Sequence, residues 1–122
     1  MTRRAAPVLV IDDQEDVREG LRMILETEGW TVETACDGRE ALNKIAGGLS
    51  PCIVLLDLMS PVMNGIEFRR ELASHPHLLP IPLLAYSGLK NVREKACQLA
   101  ANQAVQLPAE IDRLIAAVRQ SC

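Results

Sequence analysis

Five apolar residues, Cys52-Ile53-Val54-Leu55-Leu56, run without a break into Asp57. An uninterrupted run rich in branched aliphatic side chains reads as a strand covered on both faces, because a half-exposed strand would alternate apolar and polar positions. Pro61 and the pair Asn64-Gly65 follow and mark a loop over the strand's carboxyl end. A second run, Pro7-Val8-Leu9-Val10-Ile11, also ends in acid, at Asp12-Asp13. Two buried strands that both stop at carboxylates restrict the chain to folds with a covered sheet and an acidic edge.

The remaining segments fit such a fold. Val17, Leu21, Ile24 and Leu25 recur on one helical face, and Gly29 ends that helix. Thr31–Cys36 alternates and is β-branched, as a strand with one less covered face should be. Asp37 and Glu40 have the spacing of a capping box before a helix through Ala41, Leu42 and Ile45. After the strand to Asp57 come a helix over about 65–73, a strand from Pro80 to Ser87, and a helix opened by a second box at Asn91 and Glu94. A short strand over Ala104–Leu107 then leads to a last helix, with Pro108 in its first turn and Ile111, Leu114, Ile115 and Val118 on one face.

Strand and helix alternate five times, which implies one α/β domain over residues 1–122, with residues 1–6 as a flexible lead. The expected architecture is a doubly wound, flavodoxin-like five-stranded parallel sheet of order 2-1-3-4-5 with helices on both faces, because the two most apolar strands belong at the centre. Their carboxyl ends then lie side by side and bring Asp12, Asp13 and Asp57 together. Three carboxylates in one cleft repel one another, and an oxygen-rich anionic cluster suits a hard divalent cation.

Composition removes several classes. Apolar residues make up 48% of the 122, enough for a core, and aromatics only 2%, too few for base-stacking platforms. A formal net charge of -3 gives no case for nucleic acid or an anionic membrane as direct partner. No apolar run approaches the roughly 18 residues of a membrane span. His75-Pro76-His77 has no further Cys or His nearby and reads as a solvated turn. Cys36, Cys52, Cys97 and Cys122 are scattered without C-x-x-C spacing, and read as thiols of a reducing cytosol. Neither G-x-G-x-x-G nor G-x-x-x-x-G-K-[ST] occurs.

With the acid pair after the first strand, Asp57 before Pro61-x-x-Asn64-Gly65, Ser87-Gly88 after the fourth strand and Leu107-Pro108 after the fifth, the chain resembles the receiver domain of two-component response regulators along nearly its whole length. The resemblance implies that Asp57 is the phosphoacceptor, taking its phosphoryl group from a histidine kinase or phosphotransfer protein in the cytoplasm. It implies Mg²⁺ (or Mn²⁺) held by Asp12, Asp13, Asp57 and the backbone carbonyl of Met59. Ser87 takes the place of the switch hydroxyl, and Met59 and Leu89 occupy the positions that control water access to the phosphoryl group. The signal would pass to a downstream protein or to an output domain outside this chain. Such a domain assists its own phosphotransfer and is not a conventional enzyme. A phosphatase of similar topology needs a second acid two residues after the nucleophile, and position 59 is Met.

Two residues depart from the family pattern. Leu107 stands where the family usually has Lys, and Ala104 where it usually has an aromatic. Tyr86, beside Ser87, is a candidate to replace the aromatic, although neighbours on a strand point to opposite faces, and Lys90, in the loop after Ser87, reads as a solvated loop lysine rather than as a replacement for the missing one. The competing reading is therefore a phosphorylation-independent pseudo-receiver, a protein-interaction module that keeps the fold.

Overall fold

The computed structural model describes residues 6–58, 68, 70, 71, 74, 81–88 and 103–122. Its strands are β1 (Val8–Ile11), β2 (Val32–Ala35), β3 (Ile53–Asp57), β4 (Leu83–Ser87) and β5 (Gln103–Gln106). The described helices are α1 (Glu15–Thr27), α2 (Gly38–Ala46) and α3 (Ile111–Ser121). The five strands form one sheet in the order β2-β1-β3-β4-β5, and every pairing is parallel. The expected topology is the observed one. The helix expected over about 65–73 is described only at Phe68, Arg70, Glu71 and Ser74. The box at Asn91 and Glu94 and the turn at His75-Pro76-His77 lie outside the described residues.

Strand alternation sorts the core into two layers. Leu9, Ile11, Val54, Leu56 and Leu83 face α2 with Ala41, Leu42 and Ile45. Val8, Val10, Ile53, Leu55, Leu84 and Tyr86 face α1 and α3 with Leu21, Leu25, Leu114 and Val118. Neighbouring residues of one strand thus feed opposite layers, which is why β1 and β3 carry no polar position before their terminal acids. Each fully buried aliphatic side chain here is worth about 1.5–3 kcal/mol over its exposed state.

The helix ends follow local chemistry. Gly29, at φ 103°, closes α1. Trp30 N donates to Leu25 O at 3.2 Å and Gly29 N to Glu26 O at 3.0 Å, the paired bonds of a Schellman turn. Asp37 caps α2 by accepting from Glu40 N at 2.8 Å. Glu40 does reach back, but to Cys36 N at 3.3 Å rather than to the amide of Asp37. Glu40 also accepts from Cys36 Sγ at 3.2 Å, and this hydrogen bond leads the effects that hold the thiol above its ordinary pKa.

Two expectations need correction. Pro108 lies in a turn before α3 instead of in its first helical turn. Glu110 N donates to Gln106 O at 2.8 Å while the Glu110 carboxylate accepts from Gln106 N at 2.7 Å, so the helix opens only at Ile111. The second concerns the cysteines. Cys52 and Cys122 are joined by a disulfide with Cα atoms 5.5 Å apart, although 70 residues separate them in sequence. α3 runs back along the sheet and returns its carboxyl end to the edge where β3 begins. Among the described residues only Cys36 is a free thiol, so the cysteines do not argue for a reducing compartment.

Candidate metal and phosphoacceptor site

Parallel register builds the site. Ile11 pairs with Leu56, so the next residues, Asp12 and Asp57, emerge beside each other at the carboxyl edge. Oxygen atoms of Asp12, Asp13 and Asp57 all lie within 4.8 Å of one another. The three acids are held differently: Asp12 is buried, Asp57 half-buried and Asp13 exposed. Hard oxygen donors converging from two strands fit a divalent cation such as Mg²⁺, which takes one or two carboxylates and keeps some of its waters.

Asp12 is only 1% exposed, and both its side-chain oxygens have donors. Oδ1 accepts from Gln14 N at 2.8 Å, across the turn between β1 and α1. Oδ2 accepts from the Tyr86 hydroxyl at 2.7 Å. The backbone carbonyl of Asp12 accepts from Arg18 Nη1 at 3.0 Å. Burial first, then the Asp12 charge, push the Tyr86 phenol far above its ordinary pKa, so it stays a protonated donor. These contacts were not legible in sequence. Arg18 lies six residues from Asp12 and Tyr86 lies 74 away, and no local pattern links either pair.

Ser87 ends β4, one residue beyond the Asp57–Tyr86 pair, and is 3% exposed. Leu107 N donates to Ser87 O at 2.9 Å, fixing the end of β5 against the end of β4. The Leu107–Pro108 peptide is cis. Asp57, Ser87 and Leu107 border one cavity of about 600 Å³, whose far wall is apolar through Val17, Ile24 and Ile111. The structure therefore brings Asp12, Asp13, Asp57, Ser87 and Leu107 to one edge. Met59 and Leu89, and Lys90 after them, lie outside the described residues. Among the described residues, no helix is long and apolar enough to cross a membrane.

Comparison with known proteins agrees with this geometry. The model of the response regulator receiver domain matches residues 8–119. The response regulator MprA of Mycolicibacterium vanbaalenii is 38% identical over 112 residues, covering 92% of this chain and 48% of that protein. The alkaline phosphatase synthesis transcriptional regulatory protein SphR of Synechococcus elongatus is 32% identical over 123 residues, 94% of this chain and 48% of that protein. The chain thus spans about half the length of these relatives. Among solved structures, the response regulator TrrA of Thermotoga maritima in complex with Mg²⁺-BeF superposes with a TM-score of 0.81 at 27% identity, covering 97% of this chain and 100% of that one. The chemotaxis protein CheY4 of Vibrio cholerae superposes at 0.80 with 26% identity over 96% of this chain and 98% of that one. A match that takes in all five strands and the acid cluster between β1 and β3 makes this chain a member of the response regulator receiver domain family.

Proposed function

We propose that Asp57 accepts a phosphoryl group from a histidine kinase or phosphotransfer protein, and that the chain signals by the surface change that follows. The observation that carries this reading is the convergence of the Asp12, Asp13 and Asp57 oxygens within 4.8 Å at one sheet edge. An Asp57 oxygen attacks phosphorus in line, the bond from phosphorus to the donor's imidazole nitrogen breaks, and the imidazole leaves with that electron pair. The protein's work in such a transfer is positioning and charge neutralisation. Asp12, Asp13, Asp57 and the Met59 carbonyl would hold Mg²⁺ (or Mn²⁺), which would supply positive charge to offset that of the phosphoryl group. TrrA, solved in complex with Mg²⁺-BeF, supports Mg²⁺ as the cation by similarity. Ser87 donates its hydroxyl to a phosphoryl oxygen, and Met59 and Leu89, both apolar, offer no base to an attacking water.

The recipient is a downstream protein or an output domain beyond this chain. The domain is not a conventional enzyme and binds no nucleic acid or membrane itself. The reading places it in the cytoplasm with its kinase, and the Cys52–Cys122 bond is the feature that stands against a reducing compartment. A phosphorylation-independent interaction module is the second reading, favoured by Leu107, which leaves no ammonium at that point of the cavity.

The test is intact mass after incubation with acetyl phosphate and Mg²⁺. The wild type should gain about 80 Da of phosphate and Asp57→Ala none. A phosphorylated Asp57→Ala protein would move the acceptor elsewhere, and no gain in wild type would favour the interaction module.

A further inference from the structure

We propose that Tyr86 is a positioning residue of the divalent-cation site: its hydroxyl, donated to Asp12 Oδ2 at 2.7 Å, fixes that carboxylate for the cation. The inference rests on reading the three carboxylates as a cation site.

Tyr86 pairs with Asp57 in the register of β3 and β4, while Asp12 belongs to β1 on the other side of β3. The phenol therefore crosses beneath the end of β3 to reach the acid. Adjacent strands stand about 4.8 Å apart, so only a long side chain ending in a donor can span two of them. The ring itself is 2% exposed and packs with Leu21, Leu55 and Leu114. Phe would fill that space nearly as well. The hydroxyl is what a purely packed core would not require, in a chain with one Trp, one Tyr and one Phe.

Asp12 needs such a partner. It is the buried member of the trio, and its other oxygen is already bound by Gln14 N. A buried carboxylate oxygen without a donor is costly, and a carboxylate held at one oxygen can still swing about its terminal torsion. With donors on both oxygens the plane of Asp12 is set before any cation arrives. Donors that orient a metal-ligating side chain typically change metal affinity 10- to 100-fold when removed.

The experiment is a calorimetric Mg²⁺ titration of metal-free wild type and Tyr86→Phe, with the near-UV absorption of wild type followed in parallel. Tyr86 is the chain's single tyrosine but Trp30 absorbs in the same region, so the Tyr86 band is read as the difference between wild type and Tyr86→Phe. Tyr86→Phe should keep its circular dichroism and bind Mg²⁺ about 10- to 100-fold more weakly. The tyrosine band of wild type should shift with the same midpoint as the heat. A folded Tyr86→Phe protein with unchanged Mg²⁺ affinity would overturn the inference, and a lowered melting temperature alone would mark a structural role only. Should Tyr86→Phe not fold, the wild-type spectrum decides: Mg²⁺ binding with a silent tyrosine band overturns the inference. Failure of the phosphoacceptor reading looks different. There Mg²⁺ affinity depends on Tyr86 while acetyl phosphate adds no mass, whereas a phosphorylated wild type with Tyr86-independent Mg²⁺ binding sinks only this proposal.

Discussion

On the proposed reading, Leu107 is the residue that most limits phosphotransfer. Its backbone is tied to Ser87 and its side chain borders the cavity beside Asp57. A lysine there would bring a charge-assisted contact to the phosphoryl group, worth roughly 1.5–3 kcal/mol. In a transition state that difference is on the order of ten- to a hundredfold in rate. Leu107→Lys should therefore accelerate phosphorylation by acetyl phosphate at fixed Mg²⁺ by about that factor. Equal rates in the two proteins would show that another group already supplies the charge. That leucine stands at position 107, where the family resemblance leads one to expect lysine, is read from the sequence alone. What lay nearby was not: Tyr86 and Arg18 meet Asp12 only because β1, β4 and α1 converge at one edge.

At the scale of elements, local signals did most of the work where the interactions are local. The Asp37 cap of α2 is the clearest case, with its carboxylate accepting from Glu40 N three residues on. Replacing such a cap by Ala costs about 1 kcal/mol, which for a domain of this size is on the order of 4 °C in melting temperature. Asp37→Ala should show that loss in a thermal melt while phosphorylation of Asp57 is unchanged, because α2 packs on the face away from α1 and α3. A melting temperature equal to wild type would mean that the Glu40–Cys36 bonds alone hold the start of the helix. Where the partner comes from outside the element, the local signal misled. Pro108 suits a first helical turn by its own φ, yet the bonds from Glu110 back to Gln106 delay α3 to Ile111.

For the whole molecule, the Cys52–Cys122 bond ties the start of β3 to the end of α3. A crosslink that closes a loop of this length restricts the unfolded chain by about 4 kcal/mol in the chain-entropy model, and measured values usually fall at about 2–4. Cys122→Ser should thus lower the unfolding free energy by about 2–4 kcal/mol under non-reducing conditions, measured by urea denaturation, and should match wild type in the presence of reductant. Non-reducing peptide mass mapping should recover the two cysteines in one crosslinked species. Recovery of separate Cys52 and Cys122 peptides, with the variant as stable as wild type, would count against the bond.

The sequence by itself determined the sheet, its strand order and the edge at which Asp12, Asp13 and Asp57 gather. Those follow from short-range facts: unbroken apolar runs must be buried on both faces, buried parallel strands need helical crossovers, and acids that end such runs must emerge together. Tertiary structure alone decided which atoms meet across the sheet. The phenol of Tyr86 reaches Asp12 over 74 positions of sequence, and Cys52 reaches Cys122 over 70. Neither pair leaves a periodic or local trace, because each contact is fixed by how strands two apart, or a strand and a returning helix, are brought together by the packed core.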